Sequence, residues 1–520
     1  MFDNSARILQ LLSENLSQLD YLDLSGTNLP GVVNDSCEQN ALPGWPADRK
    51  LSFLGLWRCP ENACFREHLP AHRIAGEANE EQLIAALEAY ADWLLATQRI
   101  LYSLCNLVTE TNATIHSAEH LFELVLERMQ RYPSDTYMHF LASMLISFLI
   151  DNHIHIDNIS PLRVRTLVQV LVNTLERYPD DNEIVDYCCR TLCEVRTYSY
   201  SQLFHLSKRL LKVLIKYAKD ASDTTADESS GKVMALTVLR KIVSSENPEL
   251  CSLFRDLGGL QMAISTLEHH LQDNELNDEV VTISWSLLCY EADYSNQISC
   301  MLLIDLHGLE LYLHYMDKWP VNGFLYLILL PMSRLAKVKS LRGYLKVDQL
   351  IAILLQMIDF FDFNISYRTA LLLSFMLADG ENLWHHKAGC EDALLPPVAL
   401  AYSHAAVTER IVAATERWKP WHLNSEICIL YGYESFKPIL SIITASDSFA
   451  SQYCAAWTLN NLTLDEPNKY CPMLFRDGAL NRLDAAIADA RTPDRLRHLL
   501  VLTAGRIREH KRRSLLWCSL

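Results

Sequence analysis

Trp457 and Asn461 stand four residues apart in CAAWTLNNLTLDEPNKYC, a spacing that places an indole and a carboxamide on one helix face. Such a pair suits the holding of an extended peptide. The amide can bond a backbone and the indole can flank a side chain, although a core tryptophan beside a helix-end asparagine would read the same way. The i, i+4 step recurs at Leu236/Arg240, Trp285/Cys289, Leu330/Arg334 and Leu371/Phe375 when the chain is aligned on its glycine turns. Other reactive residue types lack useful spacing. His153 and His155, His269 and His270, and His385 and His386 have no cysteine or carboxylate at matching helical positions, and adjacent histidines point to different faces. No phosphate-binding glycine loop, G-x-S-x-G elbow or HExxH is present. The expectation is therefore a binding protein: no enzyme, no catalytic residues, no metal and no cofactor.

The elements that must carry the ladder are helices. The chain has 520 residues, half of them apolar, with only 16 glycines and 18 prolines. Long segments run without turn punctuation, which favours helix over strand. A formal charge of −17 argues against nucleic acid as a main partner, since phosphate affinity rests on cationic side chains. The basic tail RIREHKRRS (Arg506 to Ser514) reads as a solvated last helix. Fifteen cysteines scattered through apolar helices, with no CxxC pair, fit reduced thiols in the cytoplasm or nucleus. The first residues lack the cationic and apolar regions of a signal peptide. The longest apolar runs fall short of the ~20 residues that cross a bilayer, so no membrane partner is expected.

Two self-similarities define the period. LVLERMQRYPSD returns as LVNTLERYPDD, with Tyr132-Pro133 and Tyr178-Pro179 separated by 46 residues, and a weaker copy ends at Lys216-Tyr217. CSLFRDLGGL (Cys251 to Leu260) recurs 49 residues later as CMLLIDLHGL and again as CPMLFRDGAL (Cys471 to Leu480). Periods in the forties with helical patterning predict an all-α chain, an armadillo/HEAT-like α-solenoid over residues 76–520. Its first helix is expected after Ala78 or Asn79, where Glu80 and Glu81 supply an acidic first turn. Residues 1–33 differ. Leu19, Leu22, Leu24, Thr27 and Leu29 match a leucine-rich-repeat template, a remnant at the N-terminus, and residues 34–75 read as a connector with LSFLGL as a short strand or buried turn.

Several blocks together resemble the Zyg-eleven/Zer-one group of substrate receptors for cullin-2 RING ubiquitin ligases. They are LDLSGTNLPG, AGEANEEQLIAALEAYA, WSLLCYEAD, LAKVKSLRGYL, YRTALLLSFMLADGENLW, RIVAATERW and YESFKPIL, in family order from about residue 16 to 480. The resemblance implies a cullin box that docks elongin and cullin-2, then leucine-rich repeats, then an armadillo-like groove that captures protein N-termini, glycine especially. This sequence opens in what looks like the last leucine-rich repeat, so the adaptor-docking part is expected to be missing. The implied peptide-binding positions are Trp285, Ser286, Cys289, Arg334 and Lys337, joined by Trp457 and Asn461. Here they depart from the family: Ser286 and Cys289 stand in its W-N-x-x-D motif, and Arg334 and Lys337 replace an asparagine and a glutamate. Two carboxylates lost and two cations gained should repel an ammonium. The competing expectation is an armadillo-type scaffold or transport adaptor with no ligase link.

Overall fold

The protein is described by a computed structural model covering residues 4–31, 42–46, 48–60, 62–111, 115–220, 229–245, 247–272, 278–294, 297–318, 325–360, 362–386, 398–418, 436–445 and 448–517. The chain folds as two compact units, Met1–Leu250 and Cys251–Leu520.

The first unit opens with a helix, Asn4–Asn15, and a parallel three-stranded sheet of β1 (Tyr21–Asp23), β2 (Leu51–Gly55) and β3 (Ala71–Ala75). Leu22 pairs with Leu54, which pairs with Ile74. The residues 34–75 expected to form a connector thus contain two strands, and Leu42, Trp45, Leu51 and Leu54 are buried with Leu9, Leu22 and Leu24 in one core. The difference has a physical reason. Parallel strands pair across tens of residues, so each looks like an isolated turn in the sequence. Arg49 fastens the sheet to the first helix by donating to the carbonyls of Ser13, Leu16, Ser17 and Leu19 at 2.7–3.0 Å.

Helices then take over. Asn79 caps Glu80–Ala89, its side chain accepting from the Gln82 N–H at 3.0 Å. Four helices pack in succession: α1 (Leu94–Thr111), α2 (Thr136–Asn152), α3 (Asn182–Glu194) and α4 (Ser229–Val243). A second row, Ala118–Arg131, Pro161–Arg177 and Phe204–Asp220, stacks alongside. The repeated R-Y-P-x-D motif works at both ends of this stacking. Asp135 and Asp181 cap α2 and α3 through the Met138 and Ile184 N–H groups at 2.7 and 3.0 Å. The tyrosines reach back one repeat: Tyr132 donates to the Ala91 carbonyl at 2.8 Å and Tyr178 to the Pro133 carbonyl at 3.1 Å. In the weaker third copy, Tyr217 donates to Asn182 Oδ1 at 3.2 Å.

The second unit repeats the plan with α5 (Asp278–Tyr294), α6 (Leu325–Lys337), α7 (Phe363–Leu377), α8 (Phe449–Asp465) and α9 (Asp494–Trp517), each packed on the next. Gly259–Gln272, Gly308–Lys318 and Asp348–Met357 form its second row. A short antiparallel pair, β4 (His385–His386) and β5 (Val398–Ala399), lies after α7. The second repeated signature is a left-handed turn: Gly258, His307 and Gly478 have φ of 77°, 57° and 76°. In the first two copies a side chain at the next position would collide with the preceding helix, at Gly259 with the Phe254 ring and at Gly308 with Leu303, whereas the third copy accommodates Ala479 there. Among the described residues no helix is long and apolar enough to cross a membrane.

Candidate peptide-binding site

The expected ladder helices, α4 through α8, are the ones that pack in succession within each unit, so alignment on the glycine turns picks equivalent elements. Where their side chains point is less uniform. Trp285 on α5 is 0% exposed. Its ring meets Tyr312 and Tyr315 of the second row edge-on, at centroid separations of 6.5 and 5.6 Å. Tyr315 is anchored in turn by donating to the Leu267 carbonyl at 2.9 Å. Among the described residues, the Trp285 Nε1, Ser284 Oγ and Tyr312 hydroxyl have no hydrogen-bond partner. Ser286 is buried and donates to the Thr282 carbonyl at 2.7 Å. The Cys289 side chain lies outside the described residues. Arg334 and Lys337, on the last turn of α6, are half-buried and each engages neighbours within the fold.

At α8, Trp457 is 8% exposed and belongs to an aromatic cluster with Phe363 and Tyr367 of α7 and Trp418. The Trp418 ring is nearest, at 5.0 Å. Tyr367 donates to the Thr458 hydroxyl at 3.1 Å, and the Trp418 indole donates to Ser366 Oγ at 3.2 Å. Asn461 donates from Nδ2 to the Trp457 carbonyl at 2.8 Å, four residues back on its own helix. The structure thus brings Trp457 and Asn461 together, but with the amide turned onto its helix. The sequence ladder omitted Phe363, Tyr367 and Trp418; their signal was the aromatic content of the blocks around them, FNISYRT and ATERW.

His269 and His270 sit on the last turn of their helix with rings 6.2 Å apart. Among the described residues no group of three His, Cys, Asp or Glu is placed to hold a metal ion. Burial pushes the Cys188 thiol up to about 12 and the Cys471 thiol up to about 11, leaving neither a nucleophile near neutral pH.

A family model described as "Protein zer-1 homolog-like, C-terminal domain" matches residues 127–508. The chain belongs to this family. It is 26% identical over 529 residues to the Zyg eleven-related protein 1 of Caenorhabditis elegans, covering 98% of this chain and 55% of that protein. It is 24% identical to the zer-1 homolog of Drosophila melanogaster (94% of this chain, 64% of that protein) and 26% identical to that of Mus musculus (92% and 60%). The chain therefore spans 55–64% of the length of these relatives. A solved structure from work on a phosphorylation switch controlling the interaction between cadherin and beta-catenin superposes with a TM-score of 0.50 at 13% identity, over 82% of this chain and 86% of that one. That likeness is one of fold: an armadillo-like helical solenoid.

Two of the zer-1 blocks meet in the second unit. Arg342, from LAKVKSLRGYL, donates to Asp379 of LADGENLW at 2.7 Å and to the Ala336 carbonyl at 2.7 Å. Lys346 donates to the Leu383 carbonyl at 2.6 Å and lies 3.8 Å from Asp379. All three side chains are at most 8% exposed, so two cations share one buried carboxylate. Burial pushes the Lys346 ammonium down from its ordinary value, with Arg342 adding to the effect and Asp379 opposing it. Through these contacts the two blocks hold each other within the fold.

Proposed function

We propose that the chain is the substrate-recognition part of a cullin-2 RING E3 ubiquitin ligase and has no catalytic role of its own. The single observation supporting this reading is membership of the zer-1 family over residues 127–508. On this reading the row α5 to α8 receives an N-terminal or otherwise extended segment of a protein substrate. Elongin and cullin-2 would dock through a region that the relatives carry outside the matched length. The parallel strands β1–β3, with Leu22 and Leu24 buried and the Thr27 hydroxyl donating to the Leu24 carbonyl at 2.7 Å, would be the close of a leucine-rich-repeat array. The cytoplasm and nucleus are the compartments where such a ligase acts.

Peptide contact would fall to Trp285, Ser286, Cys289, Arg334, Lys337, Trp457 and Asn461. Asn461 could exchange its intrahelical acceptor for a peptide carbonyl at small net cost, since one hydrogen bond replaces another. Arg334 and Lys337 give the groove positive charge where an N-terminal ammonium would need acceptors, so free N-terminal glycine should bind poorly and an acidic or N-blocked segment better. The test combines co-purification of elongin and cullin-2 with the full-length natural protein and titration of a Gly-initiated peptide against its N-acetylated form. Absence of both ligase partners overturns the ligase reading. A clear preference for the free amine overturns the altered pocket.

A further inference from the structure

Along α2 of the first unit, Tyr137, Phe140, Met144, Phe148 and Asp151 follow one another at three- and four-residue steps and so share a stripe. Tyr137 is 49% exposed. The half-buried Phe140 ring lies 6.4 Å from Tyr137 and 6.0 Å from Tyr187 of α3, which carries the aromatic surface across to the next helix. At the other end of the stripe, beyond the last turns of α2, α3 and α4, opens a cavity of about 830 Å³ whose walls include Asp151, Glu194, Asp157, Arg196 and Lys241.

The charges in this cavity do not cancel. Lys241 is engaged with the Cys193 and Val195 carbonyls at the end of α3, and Arg196 pairs with Asp157. Arg190, the cation nearest the stripe on α3, pairs with Asp186 at 2.8 Å. Asp151 and Glu194 form no ion pair among the described residues, and burial together with Glu194 pushes the Asp151 carboxyl up from its ordinary value, with the Arg190 charge and a Ser147 hydrogen bond opposing. Three helix C-termini, each the negative end of its dipole, converge on the same space. The vacancy is therefore complementary to a cation, beside an exposed aromatic surface.

We propose that this face of the first unit holds an extended, internal peptide segment, seating an aliphatic side chain on Tyr137, Phe140 and Tyr187 and a lysine or arginine side chain against Asp151 and Glu194. The stripe from Phe140 to Asp151 is eleven helical steps long, about 16 Å, which an extended peptide covers in about five residues. The anchor and the basic residue should stand about that far apart. The acidic balance of the whole chain, −17, favours encounter with a basic segment. This proposal concerns a different unit and a different ligand chemistry from the reading above.

The test uses fluorescent, N-acetylated, C-amidated peptides in which one leucine and one lysine are separated by one to eight Ser/Gly residues, titrated into the intact chain. The tightest member should have four to six intervening residues. Replacing its lysine with glutamate should weaken binding about tenfold or more. The Asp151→Asn/Glu194→Gln variant should erase the lysine preference with an unchanged circular dichroism spectrum. If that variant does not fold, the lysine-to-glutamate comparison on the unaltered protein still decides. Equal binding of the two peptides, no binding of any member at millimolar concentration, or a dimer in sedimentation that Tyr137→Glu dissociates would each overturn the proposal; the last would give the face to a second copy. The row α5 to α8 is read above as favouring acidic segments, so a preference for lysine over glutamate cannot arise there, and ligase assembly plays no part in this readout.

Discussion

His139 is 3% exposed within α2, with Nδ1 3.0 Å from the Thr174 hydroxyl and its ring 5.3 Å from Tyr178. The Thr174 hydroxyl already donates to the Val170 carbonyl, so the imidazole N–H is the donor between them. Burial pushes this histidine down to about 4. Between pH ~6.5, where an exposed histidine titrates, and pH 4, the unfolded chain takes up a proton that the folded chain refuses. Stability is therefore lost as pH falls through that window, amounts to about 2 kcal/mol less at pH 5 than at pH 7, and does not change further below pH 4. His139→Gln should show a smaller loss in urea midpoint between pH 7 and pH 5 than the parent; an identical loss in both would show that other groups govern the window. The same scale sets the limit of what could be read from sequence. Trp285, Ser286, Trp457 and Asn461 were legible as members of ladder helices, but their inward orientation was not. Helical periodicity states which residues share a face. It does not state whether that face meets solvent or a second row of helices.

At the scale of elements, the three left-handed turns make the clearest case of a local rule. Gly258 and Gly478 adopt φ of 77° and 76° without strain, whereas His307 holds a side chain at 57°. A left-handed non-glycine residue costs roughly 1–2 kcal/mol, part of which is regained because glycine is freer in the unfolded chain. The exposed His307–Glu310 contact at 3.8 Å contributes little against this. His307→Gly should stabilise the chain by about 0.5–1 kcal/mol, read as a higher urea midpoint with unchanged slope; a lower midpoint would mean that the imidazole makes a contribution larger than the strain. These turns were legible because each lies in a recurring ten-residue signature that contains a glycine. Strand β2 was legible only as a short strand or buried turn and β3 was not, because what makes LSFLG and AHRIA strands is mutual pairing and packing in one core, not an alternation strong enough to stand alone.

For the whole molecule, each unit has its own core and its own row of stacked helices, and a repeat contacts chiefly its neighbours. In such chains stability is a sum of local terms, and cooperativity need not extend end to end. Hydrogen exchange followed through a urea series should therefore show residues 4–245 and 251–517 losing protection at different urea concentrations. A single coincident transition across both would show one cooperative body instead. The armadillo-like architecture was legible from its period alone, since the Tyr-Pro and glycine-turn signatures recur at the interval of a helical repeat.

The tyrosine hydroxyls have a mechanical consequence. Tyr132 to Ala91, Tyr178 to Pro133 and Tyr217 to Asn182 each tie one repeat to the one before it, and no tie spans two repeats. Under a stretching force applied at the ends of the first unit, these ties lie in series, so the load that one bears is the load that all bear. The weakest yields first, and its failure lengthens the chain by about one repeat while its neighbours remain closed. The unit is built like a chain of links rather than a bundle of parallel fibres: extensible in steps, and able to reclose link by link when the tension is released.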